Sequence, residues 1–235
     1  RKLGITVLWL NAVQEHKSPP NPVEGGWNHY SPRDLLTVDP ILGGADGFAR
    51  LAARARKEGI HLLNEIVPHG GRSRQAEALP DWWTRNRDGS LRRNWHGFGM
   101  DNASPAWQDV LRRSAAMLAR QGAIEGMRVD VADGQGPNWG SPRTSRASFS
   151  QLAAGVEVLE ALRDGIRGNG GAEVPLLIPE SLSRPAYFAV RGASVLGYGF
   201  ETTHFLQELG TDVLQDPRRL NAELRSHFEE QRGSL

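Results

Sequence analysis

The chain has 235 residues, with 28 Lys and Arg against 27 Asp and Glu, 39% hydrophobic residues and no cysteine. That length can bury one sizeable core, and no stretch reaches the ~18 consecutive apolar residues of a membrane-spanning helix. The even charge creates no field favouring nucleic acid or an anionic membrane, and the lack of cysteine excludes disulfides, thiolate metal sites and a cysteine nucleophile while leaving localisation open.

The chain starts with "RKLGITVLWL", without an initiator Met, and runs at once into a β-branched apolar stretch, Ile5 to Leu10, which reads as a strand. Both ends are expected to be cut from a longer protein. A loop rich in Pro, Gly and Asn follows. Asp46 is the expected cap of a helix whose apolar face is Phe48, Leu51, Ala52 and Ala55 and which Gly59 ends. "IHLLNEIV", Ile60 to Val67, is the second strand, and a long loop carries "PDWWTRNRDGSLRRNWHGFG". Ser104 and Pro105 open a helix with Trp107, Val110, Leu111 and Leu118 on one side, closed by Gly122. "GMRVDVA" is the third strand. Phe149, Leu152, Val156, Leu159 and Ile166 have the spacing of one helix face, "VPLLIPE" is the fourth strand, and a weaker strand lies in "ASVLGYGF".

Strands that are apolar on both faces and alternate with helices make an α/β protein with a parallel sheet, either doubly wound or closed into a (β/α)8 barrel. The segments after strands (Asn11 to Leu36, His69 to Ala103, Asp133 to Ser148) are long and polar, while those entering strands are short. A barrel enzyme has this asymmetry, because its active site is built from loops at the carboxyl ends of the strands. No Gly-rich phosphate loop follows a strand, which weighs against a nucleotide-binding sheet.

Side chains alternate across a strand, so Arg128 and Asp130 share one face and Met127, Val129 and Val131 the other, the natural face for packing helices. Glu180 ends the next strand on the face of Leu176 and Ile178, and Glu65 lies on the face of Leu63 and Val67. A structural ion pair between Arg128 and Asp130 is the plain alternative, yet three acids against one base leave an excess that burial makes costly. Paired carboxylates are the equipment of glycoside cleavage, in which one protonates the leaving oxygen while the other attacks or stabilises the anomeric carbon. Asp130 beside Arg128 should stay ionised, as a nucleophile needs. Glu180, behind Ile178 and Pro179, should be raised toward a general acid. Trp27, Tyr30, Trp82, Trp83, Trp95, Phe98 and Trp139 all fall after strands, where rings can stack on sugars or simply pin loops. Trp9 and Trp107 are expected in the core.

These segments resemble the alpha-amylase family of retaining glycoside hydrolases and transglycosidases. "LGITVLWLNAV" is similar to its second strand, "YSPRDLLTVDPILGGADGFARLAARARKEGIHLLNEIVPHG" to its third-strand unit, "GFGMDNASPAW" to the stretch before the fourth-strand helix, and "GMRVDVADG" to its Gly-Phe-Arg-x-Asp motif. The resemblance covers roughly residues 3 to 200. It implies one partial catalytic domain, residues 1–235, holding about strands two to six of an incomplete (β/α)8 barrel, so that this piece alone is expected to be poorly soluble or inactive. It also implies Asp130 as nucleophile, Arg128 as its ionic partner, Glu180 as acid/base and Tyr30 as the ring at the reacting sugar. Glu65, His69, Trp82, Trp83, Trp95 and Trp139 complete the expected substrate-binding set. The partner is expected to be a carbohydrate, an alpha-linked glucan or oligosaccharide, with no nucleic acid or membrane involved.

The family's Asp-x-Val-x-Asn-His is here "EIVPHG", with Glu65 in place of Asp, His69 in place of Asn and Gly70 in place of His. His69 thus replaces the Asn that usually binds calcium, so no cofactor or metal is expected, with calcium the one alternative left open. Asp133 and Gly134 stand where many members carry Lys-His, so the acceptor side should differ from common starch enzymes. "THFLQELGTD" around His204 is not the family's strand-seven His-Asp motif. The alternatives are a transglycosidase, a sugar-binding relative that has lost activity, or a barrel enzyme in which Arg128 binds a carboxylate or phosphate.

Overall fold

The computed structural model describes residues 4–16, 30–69, 73–94, 97–134, 136–140, 150–181, 185–194, 198–199, 205 and 209–233. Five parallel strands form the main sheet: β1 (Val7–Leu10), β4 (His61–Ile66), β7 (Gly126–Val129), β8 (Leu176–Ser181) and β9 (Tyr198–Gly199). They lie side by side in chain order, and each neighbouring pair is parallel. A doubly wound sheet reverses its strand order at a switch point, whereas winding in one direction is the arrangement of a barrel wall.

Helices α1 (Gly44–Lys57), α3 (Pro105–Gly122) and α4 (Ser150–Ile166) connect these strands and pack on one face of the sheet. That face supplies Ile66, Met127, Val129 and Leu177 to a core closed by Trp107, Leu111, Leu118, Leu159, Leu162 and Ile166, while Leu62 packs with Ala52 and Ala55 of α1 in a smaller cluster. Ser104 caps α3 as expected, its hydroxyl accepting from Trp107 N at 3.1 Å, with Pro105 at the first helical position. Trp107 is fully buried, and its indole N–H donates to Pro68 O at 2.7 Å, joining the helix to the end of β4. Of the α4 positions expected on the apolar face, Val156, Leu159 and Ile166 are buried, while Phe149 and the Leu152 side chain lie outside the described residues.

Four expectations need correction. The segment between β1 and α1 holds an antiparallel pair, β2 (Gln14–His16) with β3 (Pro32–Val38), where a loop is expected. The buried Asp39 fixes it by accepting from His16 N at 3.1 Å and from Ile41 N at 2.8 Å. Helix α1 starts at Gly44, after a 3-10 turn (Pro40–Leu42) and Gly43 at φ 94°, so Asp46 lies in the first turn and is not the cap. Leu51 is 41% exposed on that helix. Trp9, expected in the core, is 45% exposed: β1 is the edge strand of the described sheet, and Trp9 turns away from the helices.

A short helix α2 (Arg74–Glu77) and a two-stranded ribbon, β5 (Arg93–Asn94) with β6 (Gly97–Phe98), lie in the long segment after β4. Helices α5 (Pro185–Val190), α6 (Thr211–Leu214) and α7 (Pro217–Gly233) follow β8 and β9. Among the described residues no helix is long and apolar enough to cross a membrane.

Candidate active site

Parallel register brings the charged residues together. Glu65 pairs with Arg128 across β4 and β7, and Arg128 with Ile178 across β7 and β8, so the sheet face opposite the helices carries Glu65, Arg128, Asp130 and Glu180 at adjacent positions. All four are buried. The Arg128 guanidinium binds Glu65 and Asp130 through Nη1 and Glu180 Oε2 through Nη2, the last at 2.6 Å. Trp9 covers this group from the edge strand, its ring centroid 5.7 Å from the guanidinium carbon and its Nε1 donating to Glu65 Oε2 at 3.4 Å. Asp130 Oδ2 lies 2.7 Å from His69 Nε2, so the histidine in the family's Asn position reaches into the cluster.

The chain leaves β7 through a tight turn. Val131 adopts φ 41°, a left-handed conformation that strains a β-branched residue. The turn is held because Val131 N donates to Glu180 Oε2 at 3.1 Å and Ala132 N to Glu180 O at 2.7 Å. Both the carboxylate and the carbonyl of Glu180 are therefore tied to the turn that presents Asp130. Ser181 Oγ donates to Asp133 Oδ2 at 2.8 Å and adds a third link between the two strand ends.

The two central acids are pushed in opposite directions. Burial pushes the Glu180 carboxyl up, and its hydrogen bond with Asp130 pushes the same way; together these outweigh Arg128 and the Val131 amide, and the pKa reaches about 7. For Asp130, burial acts upward but is outweighed by the hydrogen bond and charge of His69, the charge of Arg128 and the hydrogen bond from Glu180, so its pKa falls below the ordinary 3.8. Glu65 is raised, chiefly by burial. Between the lowered value of Asp130 and about pH 7 this leaves an ionised Asp130 and a Glu180 that mostly holds its proton, within hydrogen-bonding reach of each other. Replacing His69 by Ala removes the main downward influence on Asp130. Its titration, followed by carboxyl NMR, should move to higher pH, and an unmoved titration would sink the role given to His69.

Tyr30 stands near this cluster: its hydroxyl is raised first by burial and then by Glu65, against Arg128, with further increments from Asp130 and Glu180. The other expected aromatics are distributed over the loops. Trp83 is half-buried, stacks on Phe98 at 4.9 Å and donates its indole N–H to Ala76 O at 2.8 Å, and Trp82 packs against the core. Trp139 is 45% exposed with Arg87 over its ring. Trp27, Trp95, Gly70 and His204 lie outside the described residues. Sequence reasoning missed Trp9 and Val131. Strand alternation puts Trp9 on one of two faces, but only the register with β4 shows that this face is the one bearing Glu65. Among the described residues no group of three His, Cys, Asp or Glu side chains is placed to hold a metal ion.

Comparison with known proteins bears on this arrangement. No family model matches the chain. It is 40% identical over 81 residues to a Mycobacterium tuberculosis protein described as a maltooligosyl trehalose synthase, which covers 34% of the chain and 10% of the relative. It is 29% identical over 136 residues to 1,4-alpha-glucan branching enzyme GlgB 1 of Xanthomonas campestris pv. campestris, covering 55% and 18%. Among solved structures, cyclic alpha-maltosyl-(1→6)-maltose hydrolase from Arthrobacter globiformis superposes with a TM-score of 0.66 at 18% identity, over 97% of this chain and 50% of that one. The resemblance is to the alpha-amylase family. A noncanonic maltogenic alpha-amylase AmyB from Thermotoga neapolitana agrees, with a TM-score of 0.62 at 15% identity over 88% of this chain and 44% of that one. At these identities the alpha-amylase neighbours establish the α/β fold with its parallel sheet. The chain spans half or less of the solved structures and under a fifth of the curated relatives it matches.

Proposed function

We propose that the chain forms strands two to six of an alpha-amylase-like (β/α)8 barrel, completed by further strands, that cleaves or transfers alpha-linked glucosyl units with retention. The observation that carries this is the meeting of two carboxyl groups, Asp130 and Glu180, on one guanidinium at the ends of neighbouring strands, with Asp130 pushed toward its ionised form and Glu180 toward its protonated one. Asp130 attacks the anomeric carbon, and Glu180 protonates the departing oxygen and later activates water or an acceptor hydroxyl. Their closeness belongs with the short carboxyl spacing of about 5.5 Å used in retention rather than the about 6.5–9.5 Å that seats a water in inversion. A sugar entering between them displaces the hydrogen bond that joins them. Arg128 neutralises negative charge of the acid cluster, and Tyr30 and His69 line the reacting sugar. The activity, the sugar partner and the residue roles extend to this chain from the matched relatives' names and from this geometry. A transglycosidase uses the same acids, with the acceptor set by loops.

The pH profile tests the roles. Activity should fall at high pH as Glu180 loses its proton near 7, and at low pH as Asp130 gains one below 3.8. Glu180→Gln should abolish the high-pH limb and spare cleavage of substrates whose leaving group needs no protonation, such as an aryl alpha-glucoside with an acidic phenol. An unchanged high-pH limb in that variant would remove Glu180 from the acid role. The same shifts act on stability. The contribution of Glu180 is present below pH 4.5 and is lost as pH rises through about 7, whereas that of Asp130 is present above 3.8 and is lost as pH falls through its lowered value.

A further inference from the structure

Trp9 stands opposite Leu63 across β1 and β4, and Glu65 lies two residues further along β4 on the same face. The indole leans toward that carboxyl end. Its Nε1 donates to Glu65 Oε2 at 3.4 Å, and its ring covers the Arg128 guanidinium, with the centroid 5.7 Å from the central carbon. One side chain thus touches both halves of an ion pair, because the other carboxylate oxygen of Glu65, Oε1, binds Arg128 Nη1. Hydrophobic packing does not account for this placement. Leu8 and Leu10, on the other face of β1, pack with Ala52 and Ala55 of α1, whereas Trp9 belongs to neither apolar cluster of the described residues.

What the contact does follows from how Arg128 is loaded. Nη1 is shared by Glu65 and Asp130, and Nη2 goes to Glu180, so three acids divide one guanidinium among them and Glu65 competes with Asp130 for the same nitrogen. The donors of a guanidinium lie in its plane, and charge attraction alone does not fix how that plane is turned among three acids. A flat ring over the face restrains the turn and keeps water from that side, where the attraction of a cation to an indole is strongest. The indole N–H holds Glu65 by its second oxygen, on its own side of the shared nitrogen. We propose that Trp9 is a positioning residue of the candidate active site, clamping Arg128 and Glu65 so that the guanidinium lies across Asp130 and Glu180. The chemistry given to those two acids rests on the function proposed above, while the clamp stands on the contacts alone.

Two variants of the full-length protein test this, read by carboxyl NMR titration, thermal melting and steady-state kinetics on a maltooligosaccharide. Glu65 is faced by Arg128 and Asp130 from β7 and its turn, by Trp9 from β1 and by Tyr30 from the segment before β3, with Glu180 of β8 on the far side of Arg128. Burial raises Glu65, and Arg128 and the Trp9 N–H work against it. Trp9→Phe keeps a ring over Arg128 and removes the N–H, so Glu65 should titrate at still higher pH. In that variant kcat should fall roughly tenfold, the scale of one hydrogen bond to a charged group, with KM nearly unchanged because Trp9 acts through Arg128 and not on the sugar. Trp9→Leu removes the ring as well and should cost roughly a further tenfold in kcat. If Trp9→Leu melts below the assay temperature, Trp9→Phe decides alone. An unmoved Glu65 titration in Trp9→Phe, a kcat equal to the parent's in either variant, or a loss confined to KM, which would make Trp9 a sugar contact, overturns the positioning role. If the parent turns over no glucan, the proposed function falls, and the Glu65 titration still decides whether Trp9 orders the cluster.

Discussion

Asp130→Asn is expected to lower turnover of maltooligosaccharides by the full-length protein roughly 10^4-fold or more, the scale on which removing a nucleophile acts. The substitution keeps the size of the side chain and its hydrogen-bonding reach to His69 and Arg128, so the fold should be preserved. Asp130 lies immediately past β7 with Arg128 on one oxygen and His69 on the other, and those contacts hold its charge in place. The amide oxygen can still accept from Arg128 and its NH2 can face His69 as a donor, but an amide cannot form the glycosyl ester. Turnover within tenfold of the parent would mean that the carboxylate does no chemistry and that the cluster is structural.

Arg128→Leu should be the most damaging change to stability. The guanidinium bridges three buried carboxylates, and deleting it leaves Glu65, Asp130 and Glu180 facing one another with no counter-charge from that strand. Breaking a buried ion pair by removing one partner costs about 3–5 kcal/mol, which in a domain of this size lowers Tm by roughly 6–20 °C. The sign with pH is fixed by the acids left behind. Their folded pKa values rise above the unfolded ones, so the variant is least impaired at low pH, where they are protonated, and loses stability as pH rises through those values. Calorimetric melts at several pH values check this. A variant as stable as the parent at neutral pH would mean that the carboxylates are relieved by something other than Arg128.

The contact between the two strand ends explains why such a charged cluster tolerates burial. The backbone amides of Val131 and Ala132 both point at Glu180, and a proton shared between Glu180 and Asp130 reduces the net negative charge that Arg128 must balance. The strain at Val131 is sustained by that pair of bonds, at the point where the chain turns from β7.

How far the sequence predicts this follows from the range of each signal. Arg128 and Asp130 were legible as a pair because alternation along one strand is local, and Glu180 because it ends an apolar run. The caps of α3 were legible for the same reason, since Ser104 and Pro105 act within one turn. Trp9 was misread: a β-branched apolar run announces a strand but not that the strand lies at the sheet edge with one face away from the helices. The β2 and β3 ribbon escaped notice because a strand of three residues carries almost no periodicity, and its pairing is set by the buried Asp39, which is remote from His16 in sequence. His69 was ambiguous at one position's offset from the family's histidine, and only the fold shows its Nε2 on Asp130. The left-handed Val131 has no sequence signal at all, because nothing in a Val predicts positive φ.

The most direct test of the central claim, that Asp130 is the nucleophile of a retaining glycosidase, is to trap the intermediate. A fluorinated alpha-glucosyl fluoride, whose electron-poor ring slows hydrolysis of the glycosyl ester, is incubated with the full-length protein, and its peptides are weighed by mass spectrometry. The sugar should be found on the peptide spanning Gly126 to Gly134, esterified to Asp130, and absent from the Asp130→Asn variant. A sugar attached to another residue, or steady release of the inverted anomer with no covalent adduct, would contradict it.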